Sequence, residues 1–327
     1  MILNAFNMVS IVLVTYNRAE RLKLSIQDIL KQTFTEFELI ICDDCSPDHT
    51  EEICREFAAK DSRIKYFRHA SNKEMPGNCN FGIMEARYSL VAILHDGDRF
   101  REDLIQKWYN AISKNDSVGF VFNSIAETDE YDNTVNVICE FPEGIIKGET
   151  LLKSVFFRRP HLDSPVYGEA MVRKNLIMEY GLIKNEFGFY ADVDLWMELL
   201  HKHDAYYCAD AIIFCPQKSV QPNEFKDDII KFNMYMVSMH LKHRKKAFSS
   251  SLPALAKEMV IGYSFALYHT TYSLLLVIKN YTFKYFITSA KHLVRQPVLF
   301  LPWAILLFLY PVGRVTLRTL AILIKKF

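Results

Sequence analysis

Three acidic clusters carry side chains that could do chemistry: the adjacent pair Asp43 and Asp44, the pair Asp96 and Asp98 flanking Gly97, and the pair Asp192 and Asp194. Carboxylate oxygens are hard ligands. A Mg2+ or Mn2+ ion on a diphosphate takes one or two of them and keeps its waters. Asp96-Gly97-Asp98 is a compact pair of that kind. Asp43 and Asp44 read either as solvated turn residues or as acceptors for the imide N–H of a ligand. Asp192 and Asp194 precede Leu195, Trp196, Leu199 and Leu200, so both fall in the first turn of a helix, where the dipole favours negative charge. One reading of them is capping. The other is a general base beside Phe187, Phe189, Tyr190 and Trp196, with its pKa raised by partial burial. No G-x-G-x-x-G and no G-x-x-x-x-G-K-[ST] occurs, so a bound phosphate would need a metal for most of its charge neutralisation.

The hydrophobic pattern predicts the elements that must position these groups. Residues 9–14 (VSIVLV) form a continuous apolar run, as in a strand buried on both faces. Thr15, Tyr16 and Asn17 break it, and residues 18–31 show helical spacing with Leu22, Ile26, Ile29 and Leu30 on one side. Further strands are expected at 37–42, 63–68 and 90–94, and helices from Ser46-Pro47-Asp48 to about 59, over 76–87 and around 101–113. This alternation means βαβ units and a mainly parallel sheet. Ligands of such sheets sit at the carboxyl ends of the strands, which here are Thr15-Tyr16-Asn17, Asp43-Asp44 and His95-Asp96-Gly97-Asp98.

Composition narrows the class. Half of the 327 residues are hydrophobic and 24% are charged, as in a core-forming protein. A net charge of +1 argues against a protein built to bind nucleic acid. Seven cysteines behind an opening with no basic n-region do not make a secreted disulfide scaffold, so the catalytic part is expected in the cytoplasm. The charge is unevenly spread. After Glu258 there is no acidic residue, while Lys279, Lys284, Lys291, Arg295, Arg314, Arg318, Lys325 and Lys326 give eight positive charges; residues 1–258 therefore carry 1 − 8 = −7. An acidic globular part precedes a basic, apolar tail.

Four stretches in order resemble the inverting nucleotide-sugar glycosyltransferases of family 2, which have the GT-A fold. They are VSIVLVTYNRAERLKLSIQDILKQTFTEFELIICDDCSPDHT (9–50), NCNFGI (78–83), ILHDGDRF (93–100) and YGLIKNEFGFYADVDLWMELL (180–200). The resemblance implies that Tyr16 stacks on the nucleobase with Val14 and Asn17 nearby, and that Asp44, helped by Asp43, accepts from the base N3–H. It implies that Asp96 and Asp98 hold a Mn2+ or Mg2+ ion and the sugar diphosphate, and that Asp192 deprotonates the acceptor hydroxyl. Asn80 belongs to the second stretch. Ala191 stands where the family often has Glu, and Cys79 where it often has Arg, so Lys73 or Arg99 is expected to replace that basic partner of the diphosphate. The implied reaction is a single displacement with inversion, which needs one base and no protein nucleophile. The donor is a UDP- or dTDP-sugar, because both bases offer an N3–H.

Other motifs are weaker. Cys42-x2-Cys45-x3-His49-x4-Cys54 approaches a zinc knuckle, but it brackets Asp43-Asp44 and no second cluster follows. His161 and Asp163, in a proline-bounded loop, and Trp196 are candidates for acceptor contacts. Two rival functions are a sugar-nucleotide nucleotidyltransferase and a non-catalytic binding module on the same fold. The first usually has a basic, glycine-rich loop after its first strand, which Thr15-Tyr16-Asn17-Arg18 is not.

The expected organisation is a transferase domain over 1–225 and an α-helical region over 226–327, membrane-associated from about 252. Residues 259–278 and 296–313 lack charge, but hydroxyls interrupt the first and Pro297, Pro302 and Pro311 the second. In-plane or re-entrant helices on an anionic membrane surface are expected, peripheral or monotopic at the cytoplasmic face of the inner membrane. That location suits a polyprenyl-linked glycan acceptor of the surface-polysaccharide type. Two membrane spans, and packing on the globular part or on a second copy as a homodimer, are the other readings of the tail.

Overall fold

The computed structural model describes residues 8–157, 166, 169–216 and 228–247, with 253 and 256. His161, Asp163 and the tail beyond 256 lie outside them, as do the membrane expectations that rest on that tail. None of the described helices is long and apolar enough to cross a membrane. The chain divides into two compact units: Met1–Val155 with Ser164–Pro222, and Phe156–Asp163 with Asn223–Phe327. The second contains helix Asp228–Ala247, and all the acidic clusters lie in the first.

Strand β1 (Val9–Thr15) lies at the centre of a parallel group with β2 (Phe37–Asp43), β3 (Ile64–Arg68) and β4 (Leu90–His95), in the order β3-β2-β1-β4. Every residue of β1 and β2 is buried, which explains their unbroken apolar runs. Helices α1 (Ala19–Leu30), α2 (Thr50–Lys60) and α3 (Glu74–Glu85) make the crossovers. The chain leaves β1 through Asn17 at φ 55, a left-handed conformation that asparagine adopts more readily than most residues. Beyond β4 the sheet is mixed, a departure from the mainly parallel expectation. Short β5 (Arg99–Phe100), α4 (Leu104–Ser113), β6 (Val118–Thr128), β7 (Thr134–Ile138), β8 (Gly144–Ile146) and α5 (Gly148–Phe157) follow. Then β9 (Ala170–Arg173) inserts between β4 and β6, antiparallel to both. Helices α6 (Lys174–Tyr180) and α7 (Ala191–Leu200) lead to β10 (Asp204–Pro216), parallel to β6.

Two consequences position the site. An antiparallel strand enters the sheet where its neighbour leaves it. The residue before β9, Glu169, therefore stands beside the carboxyl end of β4: Ala170 pairs with Ile93, two residues before His95. Helix α3 sits close on β1 and β2 because Gly82 has no side chain. A Cβ there would overlap Val12 Cγ1 and approach Cys42 Sγ to 2.9 Å. Gly82→Ala is expected to destabilise the fold by about 1–3 kcal/mol, the usual range for overpacking a tight core. A lowered denaturation midpoint with an unchanged m-value is the measurement; an unchanged midpoint would mean that α3 can move out freely.

Candidate active site

The carboxyl ends of β1, β2 and β4 open on one cleft of about 600 Å³. Val14, Thr15, Tyr16 and Arg18 line it from the end of β1, Asp44 from β2, and His95, Asp96, Gly97 and Asp98 from β4. Three of the regions singled out by sequence thus meet in one place. Tyr16 is half exposed at this cleft, with its ring free to act as a platform for a planar ligand.

The two carboxylates after β2 have different surroundings. Asp43 is fully buried, accepts hydrogen bonds from Ser46 N–H at 2.8 Å and Tyr66 Oη at 2.7 Å, and lies 3.5 Å from Arg68 Nε. It does not line the cleft; it ties the loop after β2 to β3. Asp44 faces the cleft, with Oδ1 accepting from Lys73 N–H at 2.6 Å. Burial pushes its pKa up, and the backbone hydrogen bond from Lys73 opposes that shift.

Asp96 is also committed. Its Oδ2 accepts from Thr15 Oγ1 at 2.8 Å and from Tyr16 N–H at 3.3 Å, and its Oδ1 pairs with Arg18 Nη1 at 3.1 Å. Ser25 Oγ on α1 donates to the carbonyls of Asp96 (3.2 Å) and Asp98 (2.7 Å), which fixes the turn from beneath. Asp98 is turned toward His95 and Glu169, and one ligand-capable atom from each of the three lies within 4.8 Å of the others. Glu169 is fully buried, and neither carboxylate oxygen makes a well-formed hydrogen bond. Burial, then the charge of Asp98, raises its pKa well above the ordinary carboxylate range. Two carboxylates and an imidazole, one of them buried without compensation, fit a divalent cation chemically. Sequence reasoning passed over Glu169. Its signal was an acidic residue placed directly before the apolar AMVR of a buried strand.

Asp192 opens α7, partly exposed, and the imidazole of His95 acts on it electrostatically. Desolvation raises the Asp192 pKa and His95 lowers it. Asp194, one turn face away, is buried and accepts from the Tyr180 hydroxyl, so it joins α7 to α6.

Several expected residues take other roles. Trp196 is buried with its ring 5.2 Å from Phe120 and belongs to the core, which removes it from the acceptor side. Its apolar neighbours explain this: it lies on the inward face of α7 with Leu195 and Leu199. Asn80 exchanges two hydrogen bonds with the Ile183 backbone and so anchors the loop before α7 to α3. Asn78, two residues earlier, is the amide that lines the cleft. Lys73 contributes its backbone N–H to Asp44, and Arg99 is paired with Asp28. The guanidinium groups at the cleft are those of Arg18 and Arg21. Of the cysteine motif, Cys42 and Cys54 are buried while His49 pairs with Glu20.

This arrangement matches known sequences. The profile of the family described as Glycosyl transferase family 2 matches residues 10–180, just over half of the chain. The chain belongs to glycosyl transferase family 2. It is 32% identical over 111 residues to "Glycosyltransferase GlyG" of Streptococcus pneumoniae serotype 4, a match covering 34% of this chain and 36% of that protein. It is 31% identical over 117 residues to an Escherichia coli protein named "UDP-Glc:alpha-D-GlcNAc-diphosphoundecaprenol beta-1,3-glucosyltransferase WfgD", covering 36% of this chain and 45% of that one. Both matches span less than half of the relative. The crystal structure of S. aureus TarS 1-349 in complex with UDP-GlcNAc superposes with a TM-score of 0.61 at 17% identity, over 80% of this chain and 72% of that one. The α/β sheet described above therefore has the GT-A fold.

Proposed function

We propose that this family 2 glycosyltransferase moves a sugar from a UDP- or dTDP-sugar to a glycan hydroxyl, with inversion at the anomeric carbon. The observation that carries the reading is the meeting of Tyr16, Asp44, Asp96 and Asp98 at a single cleft, with Asp192 of α7 near enough to the cleft residue His95 to interact with it electrostatically. The nucleobase stacks on Tyr16 beside Val14 and Asn17. Asp44, held by Lys73 N–H, accepts from the base N3–H. Arg18 lines the cleft beside Asp96 and adds positive charge for the diphosphate. A Mn2+ or Mg2+ ion held by Asp98 at the end of this turn would supply the remaining neutralisation of the leaving diphosphate. Asp192, with its pKa raised by desolvation, takes the proton of the acceptor hydroxyl as the new bond forms. No acid is needed for the leaving group, because the diphosphate departs as an anion.

The acceptor in this reading is polyprenyl-linked. Support comes from the diphosphoundecaprenol substrate in the name of the E. coli relative and from the basic tail after Glu258, which suits an anionic membrane surface. Thermal shift against UDP, dTDP, GDP and ADP tests the donor: UDP or dTDP is expected to stabilise the chain, and GDP and ADP to do so least. Asp44→Ala is expected to weaken uridine or thymidine nucleotides by about 10-fold, the loss of one charged hydrogen bond. Unchanged nucleotide affinity in that variant would remove Asp44 from base recognition.

A further inference from the structure

We infer that His95, Asp98 and Glu169 form a three-ligand cradle for one divalent cation, with Asp96 outside it. The inference rests on the donor reading above and departs from the sequence expectation that paired Asp96 with Asp98.

Three observations carry it. First, Asp96 has no carboxylate oxygen free of a partner: Oδ2 accepts from Thr15 and Tyr16, and Oδ1 from Arg18. Binding a cation through it would break its pairing with Arg18 and set the ion against a guanidinium. Second, Glu169 is a buried carboxylate to which no described side-chain donor makes a well-formed hydrogen bond, and the group beside it is the like-charged carboxylate of Asp98. The contrast with Glu38, buried in the same sheet, is direct. Glu38 accepts from Ser10 Oγ at 2.7 Å, Lys65 Nζ at 2.7 Å and Arg87 N–H at 2.7 Å. A structural carboxylate in this fold is thus fully satisfied, while the one beside the cleft is not. An uncompensated buried carboxylate is costly and calls for a cation. Third, the ligand-capable atoms of His95, Asp98 and Glu169 lie within 4.8 Å of one another, and His95 Nδ1 is 3.9 Å from Glu169 Oε1. Small side-chain motions would bring three donors onto one ion. Two carboxylates and one neutral imidazole balance a charge of +2, and the open side, where His95 and Asp98 line the cleft, leaves positions for water or a diphosphate. An imidazole donor also shifts preference from Mg2+, which favours oxygen alone, toward Mn2+ and later metals.

The test uses the full chain and Mn2+ alone. Pulsed EPR of the Mn2+-loaded protein is expected to show coupling to a histidine nitrogen, absent in His95→Asn. Glu169→Gln, which keeps the side-chain shape, is expected to weaken Mn2+ at least about 10-fold, the scale of loss seen even for residues one step from a metal. It should also abolish the rise in melting temperature that Mn2+ gives the unmodified chain. Asp96→Asn is expected to keep the nitrogen coupling and to lose less Mn2+ affinity than Glu169→Gln. A Mn2+ spectrum without nitrogen coupling overturns the cradle. So does equal Mn2+ affinity in Glu169→Gln, or a chain that binds no Mn2+. None of these outcomes depends on nucleotide, so failure of the donor reading shows separately, as a lack of UDP and dTDP binding.

Discussion

Asp192→Asn is expected to bind nucleotide as tightly as the unmodified chain and to lose transfer by about 10²–10⁴-fold, the usual worth of a general base. The amide keeps the shape of the carboxyl and removes its proton-accepting capacity. Because desolvation raises the Asp192 pKa, the acidic limb of the pH–rate profile should lie above the ordinary aspartate range. The base works only when ionised. Activity therefore falls as pH drops through this raised pKa, at a milder acidity than an exposed aspartate would require. The nearby His95 imidazole opposes this shift and lowers the same pKa. Transfer within a few-fold of normal in Asp192→Asn would exclude this residue as the base, and retained nucleotide affinity separates lost chemistry from lost folding.

The second large effect is on stability. Asp43→Ala is expected to cost about 2–4 kcal/mol, because it leaves the buried Ser46 N–H and the part-buried Tyr66 hydroxyl without acceptors at about 1–3 kcal/mol for a buried one and less for the other. Arg68, 3.5 Å away, would also lose its buried partner. Urea denaturation measures this directly. In a cycle with Tyr66→Phe, the double variant should recover part of the loss, since the orphaned hydroxyl is gone. Additive losses would show that Tyr66 and Asp43 act independently. Asp44→Ala, one residue along, removes a single acceptor from a backbone N–H and is expected to act mainly on nucleotide binding.

Much of the first half of the fold was legible because β1, β2 and β4 are buried on both faces and leave unbroken apolar runs. Their polar ends then stood out at once, and three of them do line one cleft. The second half was not legible to the same degree. Strand β10 mixes Tyr206, Tyr207, Asp210 and Cys215, and β9 is four residues long, so neither shows a clear period. The strand-like character of EAMVR (169–173) is readable in the sequence, but its antiparallel insertion beside β4, which brings Glu169 to the cleft, is not. Within the site, residue type was easier to read than residue role. Asp43 and Asp44 look alike in sequence, as do Asp192 and Asp194. In each pair one carboxylate is taken up by a tyrosine hydroxyl, and only the packing of α6, α7 and β3 decides which. Trp196 shows the opposite error: an aromatic residue near a catalytic motif was counted toward a binding wall when the helix turns it into the core.

The division of labour between Asp43 and Asp44 also makes nucleobase recognition a question of strand alignment. Side chains alternate across a sheet, so sliding β2 by one position against β1 would exchange the two carboxylates. At present Thr15 pairs with Asp43, and Asp44 N–H donates to the Thr15 carbonyl. A deletion in the connection between α1 and β2 that let the strand slip would leave the Asp-Asp sequence intact, yet bring the tyrosine-bound carboxylate to the cleft and bury the other. Family comparisons that score this motif by its letters would see no change, whereas the spacing between the helix end at Leu30 and the strand start at Phe37 would carry the whole difference.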